Sequence, residues 1–343
     1  MKEVVMNSSR KVLLTVTCIF ALSATVSSRT TFFFKVAGAT RVSNIYVPTG
    51  IKNPPLVFYV HGAGGHANYF EDFTKGNNVA DREKFIAAYP GAASQPGEKG
   101  TWQDMQGTTN YAFFKAVIDS LDALYKIDRT RIYMTGFSQG GFISFAMACN
   151  YADVFAAIAP SSGHSPANCA PKRPVPVFMT FGSLEGPASF LKDRDAWVKL
   201  DKCTSAEKIT KPFPASNSNS KAALSTYTSC DQGVSVLMDS VSGQDHRWPE
   251  TSNMNFAEEG WAFLKQYSLD KTTDIRPQMT APSLGSVSYS EGFIRLEGLE
   301  AESRVTVADA RGRVMAIGTG LQPKMEFKDK PRGVYVVKVS QGN

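Results

Sequence analysis

Apolar positions along the chain follow two rhythms. Up to about residue 269, short apolar runs alternate with stretches of helical period. Leu56 to Val60 is apolar throughout and stops at His61-Gly62-Ala63-Gly64-Gly65, the pattern of a buried strand feeding a Gly-rich turn. Lys84 to Tyr89, Arg131 to Thr135, Ala156 to Ala159, Val175 to Phe181 and Val234 to Met238 predict further strands, preceded by β-rich runs at Phe32 to Val36 and Val42 to Val47. Between them, Phe114, Val117, Ile118, Leu121 and Leu124 recur with a 3.6-residue period, which predicts an amphipathic helix over 111–125. A second helix is expected up to Ala148, and a closing one over 256–267. Strands alternating with helices predict an α/β fold whose mostly parallel sheet is covered on both faces.

Past Leu269 the rhythm changes. Residues 271–282 are polar and carry two prolines, a linker composition. Short alternating strands are then expected at Ser286 to Tyr289, Phe293 to Leu296, Val305 to Ala308, Val314 to Thr319 and Val334 to Val339, the makings of a small C-terminal β-sandwich over 283–343. The 343 residues exceed what one core usually serves, so two domains are expected, the first over 29–270.

With 43% hydrophobic and 20% charged residues the chain can bury a core. Lys2, Arg10 and Lys11 precede an apolar run from Val12 to Val26, which reads as a signal peptide over 1–28 rather than a membrane span. Its removal lowers the formal net charge from +6 to about +4, spread without a basic cluster, so nucleic acid is not an expected partner. No membrane span is expected in the mature chain. Four cysteines remain in what would be a secreted or cell-surface protein: Cys149, Cys169, Cys203 and Cys230. Three pairings are formally possible. Sequence neighbourhood favours Cys149 with Cys169 and Cys203 with Cys230.

The chemistry is carried by Gly136-Phe137-Ser138-Gln139-Gly140, a GxSxG motif set between a predicted strand and a predicted helix. A tight strand-to-helix turn leaves no room for side chains two residues either side of the serine, whose hydroxyl it presents above the sheet. A serine hydroxyl needs a base, so one of the four histidines must serve. His61 and His66 precede the serine, and His164 follows the next strand. His246, in Gly243-Gln244-Asp245-His246-Arg247-Trp248-Pro249, lies on a loop after the last strand of the domain and is the expected base. The orienting acid should follow Val175 to Phe181, where Glu185 stands, with Asp193, Asp195 and the adjacent Asp245 as rivals. Backbone N–H groups of Ala63 and Gln139 are the expected oxyanion donors. Trp102, Phe137 and Trp248 are candidate substrate-binding walls. No metal or cofactor is expected.

With these residues placed, the region from about Arg41 to Tyr267 resembles the family of polyhydroxybutyrate depolymerases, feruloyl esterases and acetylxylan esterases, including carbohydrate esterase family 1. The likeness rests on Tyr46-Val47-Pro48, Pro55-Leu56-Val57 through His61-Gly62, the Ser138 turn, Phe155 to Pro160, Gly182 to Glu185 and Asp245 to Pro249. It implies the α/β-hydrolase fold, a Ser138–Glu185–His246 triad and the two neighbouring cystines. The implied activity is hydrolysis of feruloyl or acetyl esters of xylan through an acyl-enzyme, with a polyester as the alternative substrate. Glu185 stands where that family usually has Asp, and Asp245 and Arg247 replace neutral residues. An inactive carbohydrate-binding protein is the reading from another class. Val305 to Val314 and Gly333 to Val339 resemble the sorting domain of proteins exported by the type IX system, which implies secretion machinery as a partner.

Overall fold

A computed structural model describes residues 27–105, 107–249 and 253–270, together with six strands between 286 and 340. The chain divides into two compact units, Met1–Ile275 and Arg276–Asn343. The expected leader falls almost wholly outside the described residues. Among those described, no helix is long and apolar enough to cross a membrane.

The first unit is built on a ten-stranded sheet. Its strands are β1 (Ser28–Val36), β2 (Ala39–Val47), β3 (Leu56–Val60), β4 (Ile86–Gly91), β5 (Ile132–Phe137), β6 (Ala157–Ser161), β7 (Val177–Gly182), β8 (Lys208–Thr210), β9 (Ala222–Tyr227) and β10 (Val236–Val241). They lie in the order β1-β2-β4-β3-β5-β6-β7-β10-β9-β8. The six from β4 to β10 are parallel. Both edges are antiparallel, β1 and β2 on one side and β9 and β8 on the other.

Apolar runs were expected for strands buried on both faces, and the side-chain alternation shows why. Leu56, Phe58 and Val60 enter one core, and Val57 and Tyr59 enter the other. The first core is covered by α3 (Thr108–Tyr125), α4 (Gln139–Asn150) and α5 (Pro187–Leu200), which bring Phe114, Phe145 and Trp197 to it. The second is covered by α1 (Ala67–Thr74), α2 (Gly76–Glu83) and α6 (Phe256–Leu264), with Phe70, Val79 and Trp261. Helices α1, α2 and α5 were not expected from the sequence. The first two are eight residues each, too short to display a helical period, and α5 buries only Phe190 and Trp197. The short edge strands β8 and β9 were also missed.

Disulfides join Cys149 to Cys169 and Cys203 to Cys230, the pairing that neighbourhood favoured. The first ties the end of α4 to the segment after β6, and the second ties the segment after α5 to the approach of β10. Closing loops of this size stabilises a fold by roughly 3 kcal/mol in the chain-entropy account.

The second unit holds two three-stranded antiparallel sheets, the strand content of a small β-sandwich. One contains β11 (Ser286–Ser290), β12 (Phe293–Glu297) and β15 (Lys324–Glu326); the other has β13 (Arg304–Asp309) between β14 (Val314–Thr319) and β16 (Tyr335–Ser340). Val305 and Val307 are buried, the alternation of a strand with one face inward.

Polar groups sit inside the first unit at a cost, Asp239 among them. Asp239 on β10 is fully buried; its Oδ2 accepts from the Thr180 hydroxyl at 3.1 Å and its Oδ1 has no partner. Burial pushes its carboxyl up to about 8. A folded value above the unfolded one (about 4) means that this group's contribution to stability is complete below about pH 4 and is lost as pH rises to about 8. Thermal unfolding of wild type and Asp239→Asn between pH 5 and 9 checks this. Wild type should lose on the order of 3 °C or more of Tm that the variant keeps. Parallel curves would contradict it.

Candidate active site

Strand β5 ends at Phe137 and α4 begins at Gln139, so Ser138 alone makes the turn. It does so at φ 56°, ψ −116°, a positive-φ backbone that a non-glycine residue adopts only under constraint. The constraint is visible on both sides. The Ser138 N–H donates to the Ser161 carbonyl at 2.9 Å. A methyl group at Gly140 would lie 1.9 Å from the Val60 carbonyl oxygen, and one at Gly136 would lie 2.5 Å from that of Gly140. The two motif glycines are therefore a packing requirement of the turn.

The structure brings Ser138, His246 and Glu185 together. His246 Nε2 lies 2.9 Å from Ser138 Oγ, and its Nδ1 is hydrogen-bonded to Glu185 Oε2. With Nδ1–H directed at the carboxylate, Nε2 is left as the acceptor for the serine hydroxyl. The Glu185 side chain is 6% exposed, whereas that of His246 is half-exposed. Glu185 ends a one-turn 3-10 helix, Ser183–Glu185, which folds its side chain back. Its Oε1 accepts from the Gly182 N–H at 2.7 Å and from the Ser162 hydroxyl at 2.8 Å. Three donors thus fix a carboxylate whose extra methylene is taken up by the turn. The acid and histidine loops are also laced together, by Leu184 N–H to the Gln244 carbonyl at 3.0 Å and Gly243 N–H to the Ser183 hydroxyl at 2.9 Å. A methyl group at Gly182 would lie 2.4 Å from the Gln244 carbonyl oxygen.

The rival acids are engaged elsewhere. Asp193 pairs with His164 Nδ1 at 2.6 Å, and burial raises its carboxyl above the usual range. Asp195 pairs with Arg194 at 2.8 Å. Asp245 is exposed and gripped by both arms of the Arg247 guanidinium, which holds its carboxyl below the usual range.

Across from the serine, the turn after β3 is held by His61. Its Nε2 accepts from the Ala92 N–H at 3.1 Å, which leaves Nδ1–H to donate to the Gly62 carbonyl at 2.7 Å. Burial lowers this imidazole to about 4, so it works as a neutral strut. The turn continues into a backbone bridge, with the Gly64 N–H donating to the Gly100 carbonyl at 2.9 Å and the Gly100 N–H to that of Gly65 at 2.9 Å. A methyl group at Gly62 would sit 3.1 Å from Ser138 Cβ, which places Ala63 next to the nucleophile's turn. Gln139 opens α4, whose N-terminal end carries the positive pole of the helix dipole.

Of the three expected walls, Trp102 is corrected. It is 2% exposed, its indole N–H donates to the His61 carbonyl at 2.9 Å, and its ring lies 5.0 Å from that of His61. It supports the site from beneath. Trp248 is 1% exposed and packs edge-on against Phe70 and Phe256, and it borders the opening beside His246. Phe137 is half-buried, its ring centroid 4.8 Å from that of His246.

A cavity of about 500 Å³ opens beside the triad, bordered by Ala63, Tyr69, Phe73, Phe137, His246 and Trp248. Helix α1 supplies an aromatic row to it: His66 and Tyr69 lie 5.9 Å apart, and Tyr69 stacks on Phe73 at 5.2 Å. Tyr69 and Phe73 were not anticipated. Aromatic residues at positions 69, 70 and 73 were the available signal, readable only once a helix is placed there.

Residues 42–191 match the family model described as esterase PHB depolymerase. The chain is 30% identical over 242 residues to a bifunctional acetylxylan esterase/xylanase of Neocallimastix patriciarum, an alignment covering 68% of this chain and 34% of that protein. It is 27% identical over 254 residues to feruloyl esterase B of Piromyces equi, covering 64% and 44%. It thus spans about a third to a half of the length of these curated relatives. Among solved structures, an acetyl xylan esterase from Aspergillus awamori superposes with a TM-score of 0.54 at 18% identity, over 69% of this chain and 99% of that one, a likeness of fold. The fold is that of the α/β-hydrolases, and residues 42–191 carry the likeness to the esterase PHB depolymerase family.

Proposed function

We propose that this protein is a secreted carboxylic ester hydrolase that works through an acyl-enzyme on Ser138. The observation that carries the proposal is the hydrogen-bonded chain from Ser138 Oγ through His246 to Glu185, anchored in a buried carboxylate.

Each step follows from a position in that chain. Ser138 Oγ attacks the ester carbonyl carbon as its proton passes to His246 Nε2. Glu185 stabilises the imidazolium so formed and keeps it oriented. The carbonyl oxygen becomes an oxyanion, held by the backbone N–H groups of Ala63 and Gln139; one such donor is worth about 10² to 10³ in rate. Collapse expels the alkoxide, which takes the proton back from Nε2 and leaves the acyl group on Ser138. Water, deprotonated by the same nitrogen, repeats the sequence and releases the acid.

For the substrate we propose esters of plant cell-wall polysaccharide, feruloyl or acetyl groups on xylan. The relatives' names support this, as does the aromatic row of Tyr69 and Phe73 beside the triad, which suits an aryl acyl group. The family description favours a second reading, hydrolysis of polyhydroxybutyrate. Release of hydroxybutyrate from polymer, with no activity on esterified xylan, would decide for it. The reading as an inactive carbohydrate-binding protein rested on glutamate replacing aspartate and on the extra β-module, and the Glu185–His246 contact counts against the first of these grounds. Two disulfides and the leader composition support export, with the second unit as the sorting module.

Kinetics on p-nitrophenyl acetate and on a feruloylated xylo-oligosaccharide test the mechanism. Ser138→Ala should lose on the order of 10⁴-fold or more in kcat on both. Full activity would end the proposal. Glu185→Gln keeps the shape but loses the charge, and should cost on the order of 10²- to 10⁴-fold in kcat with little change in KM. Glu185→Asp withdraws the carboxylate from Nδ1 and should also lose more than tenfold; wild-type rates in both variants would remove Glu185 from the triad.

A further inference from the structure

The leaving oxygen must come within hydrogen-bond reach of His246 Nε2, because that nitrogen returns its proton. The alcohol half of an ester therefore emerges beside the histidine loop. That loop divides two openings which share Arg247 and Trp248. The aromatic cavity is bordered by His246 and by Ala63, a proposed oxyanion donor, and is assigned the acyl side. The other opening is a polar cleft of about 530 Å³, bordered by Asn219, Lys221, Gln244, Asp245, Arg247 and Asn253.

We infer that this polar cleft is the subsite for the alcohol half of the substrate, and that the alcohol it takes is a polyhydroxylated sugar chain. The inference rests on the ester-hydrolase reading above. Sugar hydroxyls both donate and accept, and the cleft offers both: the Lys221 ammonium, the Arg247 guanidinium and amide N–H groups as donors, and the Asp245 carboxylate and amide oxygens as acceptors.

Several of these groups are held in place. Asn253 Oδ1 accepts from the Lys221 backbone N–H at 2.9 Å, and the Asn253 carbonyl accepts from Asn217 Nδ2 at 2.9 Å. Gln244 Nε2 donates to the Arg247 carbonyl at 3.1 Å, and Asp245 grips the Arg247 guanidinium. The loop carrying the base thus also carries half of the cleft, so a bound sugar bears directly on the residue that must protonate it. Asn219, Lys221, Asp245 and Arg247 are exposed, as a chain running past the site requires. A polyester, whose repeats carry no free hydroxyls, would leave these donors and acceptors unanswered.

The test is a substrate pair with one acyl group and two alcohols: a feruloylated xylo-oligosaccharide and methyl ferulate. In Lys221→Ala, Asn219→Ala and the double variant, the ratio of kcat/KM on the first to that on the second should fall about tenfold, chiefly through KM. Both residues are exposed, so the variants should fold as wild type does. An unchanged ratio would overturn the inference. If wild type hydrolyses neither ester, the feruloyl reading fails, inactivity on p-nitrophenyl acetate as well would end the ester-hydrolase reading, and binding decides the cleft separately. Unesterified xylo-oligosaccharide titrated into the Ser138→Ala protein and followed by NMR should bind, and binding should be lost when Lys221→Ala and Asn219→Ala are added. Absence of binding, or binding indifferent to the two substitutions, would overturn it.

Discussion

Loops at one rim of the parallel sheet meet at backbone-to-backbone distances that no Cβ would survive, and the site depends on those approaches. Gly140 lets α4 start against the Val60 carbonyl, Gly141 meets the Ser161 carbonyl 2.6 Å from where a methyl group would be, and Gly182 lies against the carbonyls of Gln244 and Asp245. Each contact joins a different pair of strand ends: β3 to β5, β5 to β6, and β7 to β10. The serine, the acid and the histidine are carried by the segments so joined. Their geometry is set by main chain rather than by long side chains, as preorganised catalysis requires.

Within that frame the glutamate is accommodated by local structure. A 3-10 turn after β7 folds Glu185 back onto its own Gly182 N–H, and the Ser162 hydroxyl, from the segment after β6, fixes the same oxygen. The second carboxylate oxygen is left for His246. His61 has an analogous part in the turn after β3, the proposed oxyanion side, where burial keeps it neutral and its two nitrogens bridge Gly62 and Ala92. Neither group is a free-standing charge, so in the proposed mechanism the histidine that gains a proton faces one defined partner.

Much of this was legible in the residues. The five-residue run Leu56 to Val60 and the GxSxG motif specify a strand, a turn and a helix because a buried strand and a tight elbow restrict which residues they accept. Histidine 246 could be chosen from four because the order of the parallel strands dictates which loop returns to the serine. What stayed hidden depends on tertiary contact. Helices α1 and α2 are too short to show a period, and α5 exposes most of its surface. The aromatic row of α1 was invisible for that reason. Trp102 was misplaced because an indole beside a reactive loop reads the same in sequence whether it faces solvent or, as here, donates to the His61 carbonyl. Which of Glu185, Asp193, Asp195 and Asp245 meets His246 likewise depends on partners: His164 and two arginines occupy the other three.

The account stands on a covalent intermediate at one hydroxyl. Acid quench of the enzyme during turnover of p-nitrophenyl acetate, followed by mass spectrometry of the proteolysed chain, tests it most directly. The account predicts a single added acetyl group, on the peptide containing Ser138. Turnover with that peptide unmodified, or with the acetyl group on another residue, would contradict it.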